Sequence, residues 1–92
     1  MAALVQSTPQ EALVADALAS VSPPKGVRLL RFYFDSDWSG DPAIRVVYGV
    51  SKKVPLTKAR VRELVALSRA ATSAIDDLYL DRFPYVTFDD VR

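Results

Sequence analysis

The chain has 92 residues, half hydrophobic and a quarter charged, so its composition predicts one small globular domain over residues 1–92. Its net charge of +1 argues against a general attraction to nucleic acid or to an anionic membrane. It has no His and no Cys, which excludes disulfides, Cys–His and Ser–His–Asp catalysis, and the usual zinc ligands. Because a domain this small buries only about 60–65% of its unfolded surface, we expect it to form a homodimer.

The first predicted element is a helix that begins near Pro9. Thr8 is a suitable N-cap, Pro9 suits the first helical position, and Glu11 completes a capping box. Apolar residues then recur at helical spacing up to Val21, and two prolines end the helix. Residues 1–7 are expected to be disordered, and they lack the basic and apolar regions of a signal peptide.

Two strands are predicted next, over residues 27–34 and 43–50, and their short link indicates an antiparallel hairpin. In the first strand, Leu30, Phe32 and Phe34 share the face expected to meet the core. The opposite face is mixed and is expected to be bare. Tyr33 and Val47 would form an exposed patch there that invites pairing with another subunit.

A long helix is predicted from the cap Thr57 to about Leu80, followed by a strand over 83–88 and a frayed end over 89–92. Its apolar stripe consists of Val61, Leu64, Val65, Ser68, Ala71, Thr72, Ile75, Leu78 and Tyr79. The order α-β-β-α-β predicts an α+β fold: a two-layer sandwich in which two helices cover one face of a three-stranded sheet.

The segment between the first two strands is acidic and reads DSDWSGD. Asp, Ser and Gly favour turns, so a plain turn explains most of this composition. Alternatively, the loop binds a partner through Trp38, since exposed Trp is enriched at binding hot spots. The spacing also matches the first half of a calcium loop, with Asp35, Asp37 and Asp41 as oxygen ligands, but the bidentate Glu of such loops is missing.

A basic stretch precedes and opens the long helix, and its members are Lys52, Lys53, Lys58, Arg60 and Arg62. Cations at a helix N-terminus oppose the helix dipole, and Asp76 and Asp77 do the same at the other end. The pattern is typical of a solvated helix face, with contact to nucleic-acid phosphate as the alternative. The chain has neither a GxxG loop nor an aromatic pair within a basic strand to support that alternative.

Two segments carry a resemblance: DWSGDPAI at residues 37–44 and RFPYVTF at residues 82–88. Together they resemble small bacterial proteins of unknown function, in which a D-W-[ST]-G-D-P-A-I segment precedes a strand and an R-F-P-Y-[IV]-x-F strand closes the chain. The resemblance covers roughly residues 29–88. It implies the hairpin–helix–strand outline and an accessory role of the toxin–antitoxin kind, and it transfers no catalytic residue.

The sequence therefore favours a non-enzymatic interaction module without a cofactor, which binds another protein or a second copy of itself. The contact residues would be Tyr33, Asp35, Asp37, Trp38 and Asp41. The alternatives are nucleic-acid binding through the basic stretch, and a divalent-metal enzyme that uses Asp35, Asp37 and Asp41. No apolar run reaches the length of a membrane span, so we expect a cytoplasmic protein with no membrane contact.

Overall fold

The structure, a computed structural model, describes residues 9–91. Its elements are helix α1 (Pro9–Ala19), strands β1 (Val27–Ser36) and β2 (Pro42–Ser51), helix α2 (Lys58–Asp76) and strand β3 (Phe83–Val91). The predicted α-β-β-α-β order and the α+β class are confirmed. The predicted cap Thr8, the disorder of residues 1–7 and the frayed Arg92 lie outside the described residues.

The three strands form one mixed sheet in the order β1-β2-β3. β1 and β2 pair antiparallel, which confirms the predicted hairpin. β3 pairs parallel to β2, because the chain has already run back along the sheet through α2. β2 is therefore the central strand, and β1 and β3 are the two edges.

The core lies between the two helices and one face of the sheet. It is a continuous cluster of apolar side chains: Val14, Leu18, Val27, Ile44, Val46, Tyr48, Leu67, Ala71 and Ile75. We call the other face of the sheet the outer face. Tyr33 from β1 and Phe83 from β3 lie on it and are 45% and 61% exposed. Within residues 9–91, neither helix is long and apolar enough to cross a membrane.

Leu30 does not share the core face with Phe32 and Phe34, so that part of the prediction is wrong. The pairing of β1 with β2 shifts between Leu29 and Arg31, which is the mark of a β-bulge. A Cβ built on Gly49, which points to the outer face, would lie 3.0 Å from Leu30 Cδ2. The extra residue thus turns Leu30 outward, while Phe32 and Phe34 still pack against the core.

Helix α2 begins as predicted but ends earlier than Leu80. Thr57 caps it by accepting a hydrogen bond from the Arg60 backbone N–H at 3.1 Å. The last helical residue is Asp76, since Tyr79 and Asp81 have φ values of +53° and +56°, which no helix accommodates. A left-handed turn therefore reverses the chain before β3.

The end of the chain is a paired strand as far as Val91, so the predicted fraying of residues 89–91 is wrong. Asp89, Asp90 and Val91 pair with Gly49, Val50 and Ser51 of β2. The N–H of Lys52 also donates a hydrogen bond of 3.0 Å to the carbonyl of Val91. β2 thus pairs with β3 from Ala43 to Ser51, and the polar side chains at the end of β3 were not a sign of fraying.

Candidate partner-binding surface

Two connections meet at one end of the sheet, where β1 ends and both β2 and β3 begin. One is the loop over residues 37–41 and the other is the turn over residues 77–82; we call this region the Trp38 end. A cleft of about 460 Å³ lies between them, with Asp41 on one side and Tyr79 on the other. The folding of α2 back along the sheet brings together two segments that are far apart in sequence.

The loop is organised around the carboxylate of Asp37. Its Oδ1 accepts hydrogen bonds from the backbone N–H of Ser39 at 2.9 Å, from the Ser39 hydroxyl at 2.7 Å and from the backbone N–H of Asp41 at 3.0 Å. The backbone closes the same turn, because the Asp37 N–H donates to the Asp41 carbonyl at 2.8 Å. Gly40 accommodates the turn with a φ of +89°. The turn chemistry that the sequence indicated is therefore present.

Trp38 lies at the tip of this loop and is 94% exposed. Trp38 is therefore exposed, as the partner-binding hypothesis requires, and its role as an anchor stays a prediction. The loop around it is held by its own hydrogen bonds. A large aromatic side chain on a fixed turn presents apolar area without the need to order the loop on binding.

Tyr85 of β3 joins the loop to the outer face. Its hydroxyl donates a hydrogen bond of 3.2 Å to Asp37 Oδ2. The guanidinium of Arg45 lies 4.9 Å from the centroid of the Tyr85 ring, and Arg45 also forms an ion pair with Asp35 at 3.6 Å. The ring of Phe83 lies 5.1 Å from the ring of Tyr85. The loop and the outer face are thus one connected surface.

The pKa values of Asp37 and Tyr85 are shifted in opposite directions. The hydrogen bond from the Ser39 hydroxyl lowers the pKa of Asp37 below its ordinary value of 3.8, and the other three donors act in the same direction. Desolvation raises the pKa of Tyr85 above its ordinary value of 10.0, and the hydrogen bond to Asp37 raises it further. At neutral pH the pair is a carboxylate that accepts a hydrogen bond from a phenol.

The Trp38 end holds exposed aromatic residues that the sequence reasoning did not place in a site. Tyr79 was assigned to the apolar stripe of α2, but it lies in the left-handed turn and is 87% exposed. Phe83 opens the strand predicted over residues 83–88, and it lies on the outer face with 61% exposure. The pair Asp81-Arg82, which breaks the helical pattern, is the signal that could have placed Tyr79 outside the helix.

The three candidate metal ligands do not converge on one point. Asp35 pairs with Arg45 and accepts its neighbour Ser36 N–H at 2.8 Å, while Asp37 holds the loop together. Asp41 accepts a hydrogen bond from the Ser39 hydroxyl at 3.2 Å. Over residues 9–91, no group of three Asp or Glu side chains is placed to hold a metal ion. The geometry gives the metal-enzyme hypothesis no support.

The basic stretch does not form one surface, because Arg60 points inward. Its side chain is 5% exposed and pairs with Glu63 at 3.2 Å, whereas Lys52, Lys53, Lys58 and Arg62 are exposed. Nε and one terminal nitrogen of Arg60 have no hydrogen-bond partner among the described residues. That terminal nitrogen lies beneath Gly26, where an added Cβ would be 2.9 Å away. Arg60 is thus a buried residue and is not available to an external anion.

The predicted patch of Tyr33 and Val47 is only half present. Tyr33 is 45% exposed, but Val47 is 4% exposed because it lies on the central strand. The ion pair between Arg31 of β1 and Asp89 of β3, at 3.6 Å, spans the outer face at this level. Long side chains from the two edge strands therefore cover the middle of the outer face.

Comparison with protein-family models, with curated proteins and with solved structures finds no match for this chain. The resemblance stated for residues 29–88 consequently stays a prediction.

Proposed function

We propose that this protein is a non-enzymatic binding module that holds a partner protein at the Trp38 end and the adjoining outer face. The observation that carries the proposal is the combination of a 94% exposed Trp38 with a loop whose turn is closed by Asp37. Exposed Trp on a preorganised loop is typical of binding hot spots, because little conformational entropy is lost on association.

The cleft at the Trp38 end favours a partner segment with cationic side chains. Carboxylates of Asp41, Asp76 and Asp81 line the cleft, and exposed Tyr79 and Phe83 lie beside them. The guanidinium of Arg82, which also lines the cleft, is engaged within the protein. It donates to the carbonyl of Ala43 at 3.1 Å and lies 4.5 Å from the centroid of the Phe34 ring. Arg or Lys of a partner could pair with these carboxylates and stack on these rings.

Nucleic-acid binding is the alternative. With Arg60 buried, four exposed cations of the basic stretch remain, and the acidic Trp38 end lies at the other end of the molecule. A strong phosphate footprint needs a larger cationic surface. We therefore keep nucleic acid as an outcome of the test.

The test is affinity capture from native lysate with quantitative mass spectrometry, with and without nuclease. The wild type is compared with Trp38→Ala and with Leu56→Ala, a matched control that removes a 71% exposed apolar side chain from the opposite end. We expect a protein that the wild type and Leu56→Ala retain after nuclease, and that Trp38→Ala loses by about tenfold or more.

Equal recovery by all three proteins would contradict the proposal. Retention that nuclease abolishes would instead support the basic stretch. The captured protein is then produced alone, and its binding is measured through the fluorescence of Trp38, the single Trp of the chain. Burial of this Trp in a complex shifts its emission to shorter wavelength.

A further inference from the structure

The two edges of the sheet differ in how they are protected against pairing with another chain. The β3 edge carries Pro84, which has no N–H to donate, and the adjacent acids Asp89 and Asp90. On the β1 edge, the segment from Arg31 to Asp35 follows the bulge and pairs regularly with β2. This segment has neither a proline nor two adjacent acids. Within residues 9–91, β1 pairs only with β2, so its other edge has no neighbouring strand.

We propose that β1 of a second copy of this chain pairs antiparallel with this edge, with the two-fold axis at Tyr33. The two three-stranded sheets then become one six-stranded sheet. This inference concerns the β1 edge of the sheet and not the loop that carries Trp38, and it does not depend on the function proposed above.

Charge complementarity selects the register. When Tyr33 opposes its own copy, Arg31 opposes Asp35 of the second copy, and the symmetry repeats this pair. All these side chains lie on the outer face, so each pair meets across the new strand boundary. Centring the pair on Phe32 or Phe34 instead leaves Arg31 opposite Tyr33 or residue 37, respectively. Of these three centres, Tyr33 alone places Arg31 opposite Asp35 within the regular segment.

The core face of the same register is also complementary. Phe32 opposes Phe34 of the second copy, and both are only half-buried in the single chain. Pairing would therefore bury more of two large apolar side chains in each copy. The ion pairs that Arg31 and Asp35 now make are both 3.6 Å long and solvent-exposed, so their rearrangement costs little.

The experiment is sedimentation of the full chain at increasing concentration, with Arg31→Asp and Asp35→Arg measured alone and mixed. We expect the wild type to reach about twice the 10.1 kDa of one chain. Each single variant places like charges opposite each other and weakens the dimer by about tenfold or more. An equimolar mixture restores both opposite-charge pairs, so it dimerises. A wild type that stays monomeric at hundreds of micromolar overturns the proposal, as does a mixture that behaves like its components.

Cross-linking tests the register independently of those charge changes. The chain has no Cys, so Tyr33→Cys introduces its single thiol at the two-fold axis. We expect mild oxidation to link two copies through it, since directly opposed positions have Cβ atoms about 5 Å apart. Arg28→Cys is the matched control, on the same strand but beyond the bulge. Equal cross-linking of the two variants overturns the register. Trp38→Ala should dimerise as well as the wild type does, which would show that dimerisation and partner capture use different residues.

Discussion

Asp37 and Arg60 carry opposite charges near opposite ends of the molecule, and they differ in solvent exposure and in hydrogen bonding. The accessible charge has the more complete set of hydrogen-bond partners. Asp37 is accessible, and each of its oxygens accepts at least one hydrogen bond. Arg60 is buried, and two of its nitrogens have no partner among the described residues. An accessible charge such as Asp37 can thus hold a loop together, while a charge within a basic stretch, such as Arg60, can be buried.

The difference has consequences for function. The carboxylate of Asp37 fixes a loop that presents Trp38, so the charge acts by holding a shape. One terminal nitrogen of the Arg60 guanidinium lies beside Gly26 and the other pairs with Glu63, so this buried group is not available to a ligand. Substitutions around Arg60 should therefore change stability, whereas substitution of Trp38 should change binding.

The largest effect is expected from Gly26→Ala. Gly26 has a φ of +80°, and an added Cβ would lie 2.9 Å from a buried nitrogen of Arg60 and 3.1 Å from Val54 Cγ2. We expect the free energy of unfolding to fall by about 2–3 kcal/mol, from backbone strain and overpacking together. Urea denaturation followed by circular dichroism measures it.

Gly40→Ala is the matched control at the Trp38 end. Gly40 has a φ of +89° but no atom within 4 Å of an added Cβ, so only the backbone strain of about 1 kcal/mol applies. Equal losses at Gly26 and Gly40 would mean that packing against Arg60 contributes nothing.

A smaller effect of the opposite sign is expected from Arg60→Met. The substitution keeps an unbranched apolar stem and removes a buried charge that has two unpaired nitrogens. We expect the free energy of unfolding to stay unchanged or to rise by about 1 kcal/mol. Glu63→Gln, which weakens the pair but leaves the guanidinium buried, should lower it. A large loss in Arg60→Met would show that Arg60 has partners beyond Glu63.

The pH dependence of stability should distinguish Asp37 from an ordinary surface carboxylate. Its pKa in the folded protein lies below the ordinary value of 3.8, so its contribution is fully present above that value. The contribution is lost as the pH falls through the lower folded pKa. In thermal melts, the melting temperature of the wild type should fall between pH 5 and pH 2. We therefore expect a shallower fall in Asp37→Asn. An unchanged slope would exclude Asp37 as its source.

Much of the fold could be predicted from periodicity and turn chemistry. The hairpin, the Thr57 cap and the long helix follow from local patterns, and local patterns persist in the folded chain. The bulge at Leu30 and the parallel placement of β3 could not be read in this way, because both depend on which strands pair. The end of α2 was missed because Leu78 and Tyr79 continue the apolar spacing although they lie in the turn after Asp76.

The inward direction of Arg60 had a signal that the sequence reasoning did not use. Arg60 precedes Leu64 by four residues and Leu67 by seven, so it lies on the same side of the helix as the buried Leu67, Ala71 and Ile75. The predicted stripe began one residue later, at Val61, which is 44% exposed. Because Arg60 is charged, it was assigned to the solvated face of the helix although its position lies on the buried side. The meeting of Tyr79 and Phe83 with Asp41 at one cleft could not be predicted from local pattern, since it depends on the left-handed turn after α2.

The smallest effect on folding is expected from Trp38→Ala. A side chain that is 94% exposed contributes little burial, so the free energy of unfolding should change by less than about 0.5 kcal/mol. Denaturation of this variant must be followed by circular dichroism, because the chain has no other Trp. Tyr85→Phe is its counterpart, since it removes the hydroxyl that donates to Asp37 and leaves Trp38 in place. If Trp38→Ala instead destabilises the protein by more than Tyr85→Phe, the indole is part of the fold. An unchanged stability would show that the indole of Trp38 takes no part in the fold.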